Sequence, residues 1–229
     1  MGDNRTAGTS TSPRRVIAGF EARRTSVLVG DDAIELWQVH DLERYVDRDA
    51  LLRADAPAEP PYWAHCWSGA HVLAARVPCA GHVLEVGCGL GLPGITAAHR
   101  GASVVFVDRE PAPLAFVRAS LAVNDCTATG LVVADVRDLV FRRRFDVVLA
   151  AEFLYDRTAF TAIAKTFARL LAPDGYVLMT DGHRIDTSAF YDAATNAGLQ
   201  VSRDDVRVME EGFPVTVTIA TLRRVSRAS

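Results

Sequence analysis

From Val83 onward, short runs of apolar residues alternate regularly with longer segments of helical periodicity. The apolar runs predict strands over 83–86, 104–107, 131–134, 145–150 and 176–180. The segments between them predict helices over 93–100, 111–123, 160–171 and 188–197. Strict alternation of strand and helix requires a mostly parallel sheet that is covered by helices on both faces. The pattern therefore predicts a doubly wound, Rossmann-like α/β fold.

Two strand-like runs, 200–209 and 215–222, break this rhythm near the C-terminus. Only the short segment Glu210-Glu211-Gly212-Phe213-Pro214 separates them. A parallel crossover needs about a dozen residues or more, so these two runs must pair as antiparallel neighbours. The whole sheet is then expected to have seven strands, mostly parallel, with one antiparallel strand near the C-terminus.

The first 60 residues do not follow the alternation. Residues 1–15 are rich in Thr, Ser, Gly and Arg, and we expect a disordered tail. Two β-rich runs, 26–29 and 33–39, flank the turn-forming cluster Gly30-Asp31-Asp32 and predict a β-hairpin. Short helical turns are expected over 40–55. We therefore expect one domain over 16–229, with an extension over 16–60 and a catalytic core over 61–229.

Composition narrows the choice of partners. The 229 residues are 49% hydrophobic, which is enough for one substantial core. Basic and acidic residues number 25 and 28 and are intermixed, so neither a nucleic acid nor a membrane surface is expected as a partner. The four cysteines are widely spaced and show no zinc pattern, so no metal is expected. The absence of a signal segment predicts a cytoplasmic protein, and we expect a monomer or a weak dimer.

A glycine-rich turn follows the first parallel strand, in the segment Glu85-Val86-Gly87-Cys88-Gly89-Leu90-Gly91. Glycines permit close approach of the backbone to a ligand, and the helix that follows favours an electron-rich group. The spacing also fits the dinucleotide fingerprint, with Asp108 at the end of the next strand placed for ribose hydroxyls. Glu85 argues against a dinucleotide, because a buried carboxylate needs a partner. The ammonium and sulfonium of S-adenosylmethionine would supply one, whereas the pyrophosphate region of NAD would not.

On these residues, the chain from about Pro60 onward resembles the class I S-adenosylmethionine-dependent methyltransferases. The resemblance implies that Glu85 and the backbone of Gly87, Gly89 and Gly91 bind the methionine part, and that Asp108 binds the ribose. Ligands in such sheets bind beyond the carboxyl ends of the strands. Asp135 ends the third predicted strand and is placed to accept a hydrogen bond from the adenine amino group. Asp138 is the nearby alternative.

An aromatic segment, Pro60-Pro61-Tyr62-Trp63-Ala64-His65-Cys66-Trp67, leads into a helix expected to be capped by Ser68 and to run from Gly69 to Pro78. This segment is placed to enclose the methionine end of the cofactor. Cation–π attraction to a sulfonium favours Trp67 in that role. For Trp63, cofactor contact and a place in the hydrophobic core remain equal alternatives.

The segment Ala151-Glu152-Phe153-Leu154-Tyr155 directly follows the fourth parallel strand. A carboxylate there can orient an ammonium group and assist its deprotonation, and a tyrosine can flank it. We therefore assign Glu152 and Tyr155 as catalytic candidates, with Ala151 on the cofactor side. The alternative is that Tyr155 only packs and that Glu152 caps a helix beginning near Thr158. His65 and His183 are weaker candidates for the acceptor pocket.

The resemblance narrows to the seven-strand lysine methyltransferases that include the electron-transfer-flavoprotein β-subunit lysine methyltransferases and predicted nicotinamide N-methylases. It rests on Pro-Pro-Tyr-Trp-Ala followed by Trp67, and on an acidic-x-x-Tyr motif at Glu152 and Tyr155. Many members have Asp where this chain has Glu152. The resemblance implies an N-methyltransferase that acts on a lysine of a protein. The alternatives are a small-molecule methyltransferase for nicotinamide-like amines or natural products, a cofactor-binding module without turnover, and a dinucleotide-dependent oxidoreductase.

Overall fold

The computed structural model describes residues 13–45 and 61–225, which form two β-sheets and the helices that cover the larger one. The strands are β1 (Arg14–Ile17), β2 (Phe20–Val29), β3 (Asp32–Val39), β4 (His82–Val86), β5 (Ser103–Asp108), β6 (Thr129–Val133), β7 (Phe145–Ala151), β8 (Leu171–Asp181), β9 (Leu199–Glu210) and β10 (Phe213–Arg224). The α-helices of this region are α1 (Ser68–Ala74), α2 (Leu92–His99), α3 (Pro111–Val123), α4 (Phe160–Leu170) and α5 (Ser188–Asn196). None of these helices combines the length and hydrophobicity needed to cross a lipid bilayer.

The larger sheet has seven strands in the order β6-β5-β4-β7-β8-β10-β9. Strands β4 to β8 pair in parallel, whereas β10 is antiparallel to both of its neighbours, β8 and β9. The predicted doubly wound sheet with one antiparallel strand near the C-terminus is therefore confirmed. The strand order reverses at β4, because β5 and β6 lie on one side of this strand and β7 and β8 lie on the other. Sheets of this kind bind ligands at such a point, beyond the carboxyl ends of the strands.

Helices cover both faces of this sheet because its central strands are buried on both sides. Along β4, Leu84 packs into a cluster with residues of α4 and α5, and the adjacent Val83 packs into a second cluster with residues of α1, α2 and α3. Continuous apolar strands of this kind are typical of parallel sheets between two helix layers. Glu85 is a buried charged residue in this apolar strand.

The N-terminal sheet has three antiparallel strands in the order β1-β2-β3, where the sequence predicted a two-stranded hairpin. Strand β1 begins at Arg14, inside the segment expected to be a disordered tail. Ala18 and Gly19 both have positive φ, 49° and 87°, and so form the tight turn that joins β1 to β2. The rest of the expected tail, 1–12, and most of the expected helical turns, 46–55, lie outside the described residues.

Two other boundaries differ from those predicted. Helix α1 begins at Ser68 itself, with Trp67 as N-cap and no side-chain capping bond, and it ends at Ala74 rather than near Pro78. The Ser68 N–H donates instead to Glu210 Oε1 at 3.2 Å, a partner far away in the sequence. Strand β8 begins at Leu171, because the pairing with β7 extends back to Phe145 across an irregularity in register.

Asn124, at the end of α3, joins the N-terminal sheet to the helices that cover the larger sheet. Its Oδ1 accepts the Glu35 N–H at 3.0 Å, and its Nδ2 donates to the carbonyls of Glu35 and Ser120, both at 2.7 Å. The Ser120 hydroxyl oxygen also accepts the Trp37 N–H at 2.9 Å. These backbone groups of β3 are therefore paired with side chains from α3 and its end, in the way that a neighbouring strand would pair them.

Replacing Asn124 with Ala is expected to lower the free energy of unfolding by about 2 kcal/mol, because it leaves both backbone groups of Glu35 without this partner. Urea denaturation monitored by circular dichroism measures the change. Asn196→Ala is the matched control, since Asn196 is exposed at the end of α5. Equal stability of the two variants would contradict the assigned role of Asn124.

Candidate functional site

A cavity of about 580 Å³ opens at the carboxyl ends of the parallel strands, beside the point where the strand order reverses. Its volume is in the range of small-molecule sites, roughly 300–1,000 Å³. The structure brings nine of the ten predicted site residues to its wall: Trp67, Gly87, Gly89, Gly91, Asp108, Asp135, Ala151, Glu152 and Tyr155. Glu85 is the exception, and it lies buried behind the wall.

The glycine turn forms one wall, and its conformation requires glycine. Gly87, Gly89 and Gly91 have φ values of 55°, 51° and 73°. A Cβ atom at Gly87 would collide with the ring of Phe153, and one at Gly89 would lie 3.0 Å from the Trp63 carbonyl oxygen. The turn therefore presents bare backbone to the cavity, which permits close approach of a ligand.

Glu85 is 1% exposed and has a partner within the protein. Its Oε2 accepts the N–H of Gly94, in the first turn of α2, at 3.0 Å. The sequence predicted a cationic cofactor group as a partner of this carboxylate, and the structure shows a helix N–H bonded to it. Burial raises the pKa of the Glu85 carboxyl to about 8, and the hydrogen bond from Gly94 only partly opposes this. Glu85 therefore connects the end of β4 to the first turn of α2, behind the wall of the cavity.

The raised pKa of Glu85 predicts a pH-dependent stability of the protein without ligand. Because the folded-state pKa of about 8 lies above the ordinary value of 4.5, the proton-linked stability is complete below pH 4.5 and is lost as the pH rises toward 8. The slope approaches about 1.4 kcal/mol per pH unit. Urea denaturation of the protein and of Glu85→Gln from pH 5 to about 8.5 measures it, and the difference between them isolates Glu85. A constant difference across this window would contradict the prediction.

Asp108 ends β5 and lies in the cavity wall, 8% exposed. Its Oδ2 accepts the Gly89 N–H at 3.0 Å and its Oδ1 accepts the Glu110 N–H at 3.2 Å. Burial raises its pKa, while these bonds act in the opposite direction. The carboxylate is thus fixed beside the glycine turn, in the position that the sequence predicted for a ribose-binding acid.

Asp135 also lies in the wall, at the end of the loop after β6. Its carboxylate accepts the Arg137 N–H at 2.8 Å and bonds to the Arg137 side chain at 2.9 and 2.6 Å. The hydrogen bonds from the Arg137 side chain lower its pKa, so Asp135 is ionised. The alternative candidate, Asp138, is not part of the cavity lining.

Glu152 lies in the cavity wall and has a left-handed backbone conformation, with φ of 50°. Its Oε1 accepts the Gly69 N–H at 3.1 Å, and its Oε2 bonds to Nε of Arg184 at 3.3 Å. It does not cap the helical turn that follows, because Asp156 accepts the Thr158 N–H there at 2.9 Å. The alternative reading of Glu152 as a helix cap is therefore wrong.

Burial raises the pKa of Glu152, and the charge of Arg184 and the Gly69 hydrogen bond oppose that shift. Tyr155 lies in the same wall but is 55% exposed, with the guanidinium carbon of Arg109 5.6 Å from its ring centroid. A buried carboxylate and a tyrosine thus line the same cavity. This arrangement suits an amine better than an apolar ligand.

The residues of the aromatic segment contribute both to the hydrophobic core and to the cavity wall. The Trp63 ring contacts Phe20 and Phe116, with centroids 5.3 and 5.4 Å apart, so Trp63 anchors the core although it also touches the cavity. Trp67 lies in the wall, and its Nε1 donates to the Tyr62 carbonyl at 3.2 Å.

The two candidate histidines lie in different places. His65 lines the cavity and stacks near Trp67, with ring centroids 4.2 Å apart. His183 lies outside the cavity lining, and its Nε2 lies 2.8 Å from Thr218 Oγ1. Of the two weaker candidates, only His65 therefore lines the cavity.

Two residues of the site were missed by the sequence analysis. The guanidinium carbon of Arg184 lies 3.8 Å from the Trp67 ring centroid, and Arg184 also bonds to Glu152 and Glu210. Arg184 follows the carboxyl end of β8, so its strand-end position was a usable signal. Glu210 is the last residue of β9 and reaches the site through its bonds to Arg184, and no local pattern marks it.

The cavity wall contains two cysteines, and neither of them is a reactive thiol. Cys66 and Cys88 lie in the cavity wall, but burial raises the pKa of Cys66 to about 12 and that of Cys88 well above its usual value. Both thiols are therefore protonated and weakly nucleophilic. Residues 13–45 and 61–225 contain no cluster of His, Cys, Asp and Glu suited to a metal ion.

The strand order, the antiparallel β10, the glycine turn after β4 and the acid at the end of β5 together define the fold class of the class I S-adenosylmethionine-dependent methyltransferases. Residues 83–175 match the family described as a methyltransferase domain. This match confirms the predicted class, a methyltransferase domain, over that part of the chain.

Similar proteins differ in their acceptors. The protein N-lysine methyltransferase METTL21A of Danio rerio is 34% identical over 105 residues, or 43% of this chain and 48% of that protein. A ubiquinone biosynthesis O-methyltransferase of Xanthomonas axonopodis pv. citri is 30% identical over 133 residues, or 57% of this chain and 55% of that enzyme. The chain thus spans about half the length of these curated relatives.

A solved structure extends the likeness in fold over most of the chain. The N-methyltransferase NodS from Bradyrhizobium japonicum WM9, in complex with S-adenosyl-L-homocysteine, has a TM-score of 0.57 at 17% identity. The match covers 81% of this chain and 97% of that one. The fold is therefore shared well beyond the region of detectable sequence identity.

Proposed function

We propose that this protein is an S-adenosylmethionine-dependent N-methyltransferase whose acceptor is an amine, most directly the side chain of a lysine in a protein. The observation that carries the proposal is the placement of Glu152 and Trp67 in the same cavity as the glycine turn and Asp108. One cavity thus contains groups suited to the cofactor and groups suited to a cationic acceptor.

We call the part of the cavity that follows β4, β5 and β6 the cofactor half, because its residues suit S-adenosylmethionine. The glycine turn offers backbone without side chains, because Gly87 and Gly89 have no room for a Cβ. Asp108 is fixed by two backbone N–H groups, and its remaining acceptor capacity faces the cavity for the ribose hydroxyls. Asp135 is placed to accept from the adenine amino group. Glu85 holds the two ends of the glycine turn together through its hydrogen bond from the Gly94 N–H.

The acceptor half suits an amine. S-adenosylmethionine, when bound, supplies a methyl group on a cationic sulfur. Glu152 would orient the acceptor ammonium and assist removal of its proton, and Tyr155 and Trp67 would flank the nitrogen. Most of the acceleration in such a reaction comes from positioning in a site that excludes water. The buried Glu152 carboxylate, 5% exposed, is suited to this.

The similarity to METTL21A supports a protein lysine as the acceptor. The similarity to ubiquinone biosynthesis O-methyltransferases favours a second candidate, in which the acceptor is a small molecule. The two candidates share the cofactor half of the cavity. They differ in whether the cavity mouth receives an extended side chain from a protein surface or a whole ligand.

Thermal unfolding with S-adenosylmethionine, S-adenosylhomocysteine, NAD and NADP tests the cofactor first. Ligand at about 100 times its dissociation constant stabilises the folded protein by about 2.7 kcal/mol. We expect a shift with the adenosyl compounds alone. A shift with NAD alone would overturn the proposal.

Transfer from tritiated-methyl S-adenosylmethionine into a fractionated lysate then tests the acceptor. Radioactivity in protein, recovered as methyllysine after acid hydrolysis, supports a protein lysine. Radioactivity in the small-molecule fraction alone supports the second candidate. Cofactor binding without transfer into either fraction would contradict the assignment as an enzyme.

A further inference from the structure

The guanidinium of Arg184 lies in a seat made of two carboxylates and one aromatic face. Its Nε bonds to Glu152 Oε2 at 3.3 Å, and its Nη2 bonds to Glu210 Oε1 and Oε2 at 3.3 and 3.4 Å. Its carbon lies 3.8 Å from the Trp67 ring centroid. We define these three partners, Glu152, Glu210 and Trp67, as the cation seat.

The cation seat has the chemistry that recognises an alkylammonium group. Aromatic faces attract cations, and carboxylates both neutralise them and accept their hydrogen bonds. The backbone N–H groups of Gly69 and Ser68 hold Glu152 and Glu210 in place at 3.1 and 3.2 Å. The seat is therefore fixed independently of Arg184. It carries two negative charges, of which Arg184 neutralises one.

Arg184 itself is weakly fixed. Its side chain is 44% exposed, whereas those of Glu152 and Glu210 are 5% and 19% exposed. Its bonds to both carboxylates are at the long end of the hydrogen-bond range, and partly exposed ion pairs contribute little to stability. It extends from the loop between β8 and α5 and can leave the seat while the sheet stays in place.

We propose that Arg184 is an internal stand-in for the acceptor, which a cationic acceptor group displaces from the cation seat. This inference rests on the proposed amine acceptor and adds a specificity rule to it. A neutral acceptor that displaced Arg184 would leave the buried Glu152 carboxylate without a counter-charge, which is unfavourable. An ammonium restores the charge balance as it enters. Arg184 therefore selects cationic acceptors over neutral hydroxyl acceptors.

Binding of n-butylammonium, a surrogate for the lysine side chain, tests the proposal on protein saturated with S-adenosylhomocysteine. We expect Arg184→Gln and Arg184→Met to bind this probe about tenfold or more tightly than the unmodified protein, as measured by ligand-observed NMR titration. The neutral probe n-butanol should show no such gain. Adding Glu152→Gln to Arg184→Gln should abolish the gain, because the seat then loses its buried carboxylate.

Arg223→Gln is the matched control, because it makes the same charge change at another guanidinium stacked on an aromatic ring. The Arg223 guanidinium carbon lies 4.5 Å from the ring centroid of Tyr176, which is in the middle of β8 and outside the cavity lining. This variant should bind n-butylammonium as the unmodified protein does. An equal gain in Arg223→Gln and Arg184→Gln would reduce the effect to net charge and overturn the proposal.

The two proposals fail in distinguishable ways. If the unmodified protein does not bind S-adenosylhomocysteine, the proposed function fails. If it binds S-adenosylhomocysteine but neither Arg184 variant gains affinity for n-butylammonium, the stand-in proposal fails while the methyltransferase assignment remains. Two variants are used so that a fold defect in one, detected by its melting temperature, leaves the other to decide.

Discussion

Glu152→Ala is expected to lower the rate of methyl transfer about a hundredfold or more, while the affinity for S-adenosylhomocysteine changes less than about threefold. The carboxylate lines the cavity and is bonded to Gly69 and Arg184, not to the glycine turn. Its loss should therefore remove the orientation and deprotonation of the acceptor but leave the cofactor half intact. Tritiated-methyl incorporation and calorimetric titration measure the two quantities.

Glu152→Asp separates the charge of this side chain from its length. Asp keeps the carboxylate but draws it back by about one methylene, so we expect intermediate activity. Glu211→Ala, in the exposed turn of the β9–β10 hairpin, serves as the control and should behave as the unmodified protein does. If Glu152→Ala abolished cofactor binding as well, Glu152 would be a structural support of the cavity and its catalytic assignment would be wrong.

Asp108→Ala is expected to weaken S-adenosylmethionine binding by about a hundredfold, since each hydrogen bond to a charged group contributes roughly 1.5–3 kcal/mol. Two effects combine in this variant. The ribose hydroxyls lose their carboxylate acceptor, and the Gly89 and Glu110 N–H groups lose their partner. Isothermal titration with S-adenosylhomocysteine measures the change.

Asp108→Asn divides these two effects, because the amide oxygen can still accept from one backbone N–H but carries no charge. We expect its affinity to lie between those of the unmodified protein and Asp108→Ala. Asp174→Ala, an exposed acid at the opposite end of the sheet, is the control for net charge. An Asp108→Ala affinity within about threefold of that control would contradict the ribose assignment.

The sequence was sufficient for features that depend on local periodicity. The parallel strands, the glycine turn and the acids at strand ends follow from runs of a few residues. Parallel strands bring their carboxyl ends to one edge, so Asp108, Asp135 and Glu152 were expected to meet, and all three line the cavity. The antiparallel β9–β10 pair was predictable for a similar reason, because its connection is too short for any other pairing.

Features that depend on distant partners were not predictable in this way. Glu210 lies 142 residues from Ser68 in the sequence, and its bond to that backbone N–H appears only when the last hairpin packs over α1. Glu85 was correctly identified as a buried acid, but no local pattern marks its hydrogen bond from the Gly94 N–H. The strand β1 is too short to give a periodic signal.

The position of β10 also determines when the sheet can be completed during synthesis. This strand follows β9 in the chain but lies between β8 and β9 in the sheet. Until the ribosome has released β10, the edge of β8 has no neighbour and β9 has no place in the sheet. Open strand edges are sites of association between nascent chains, so this interval exposes the molecule to aggregation.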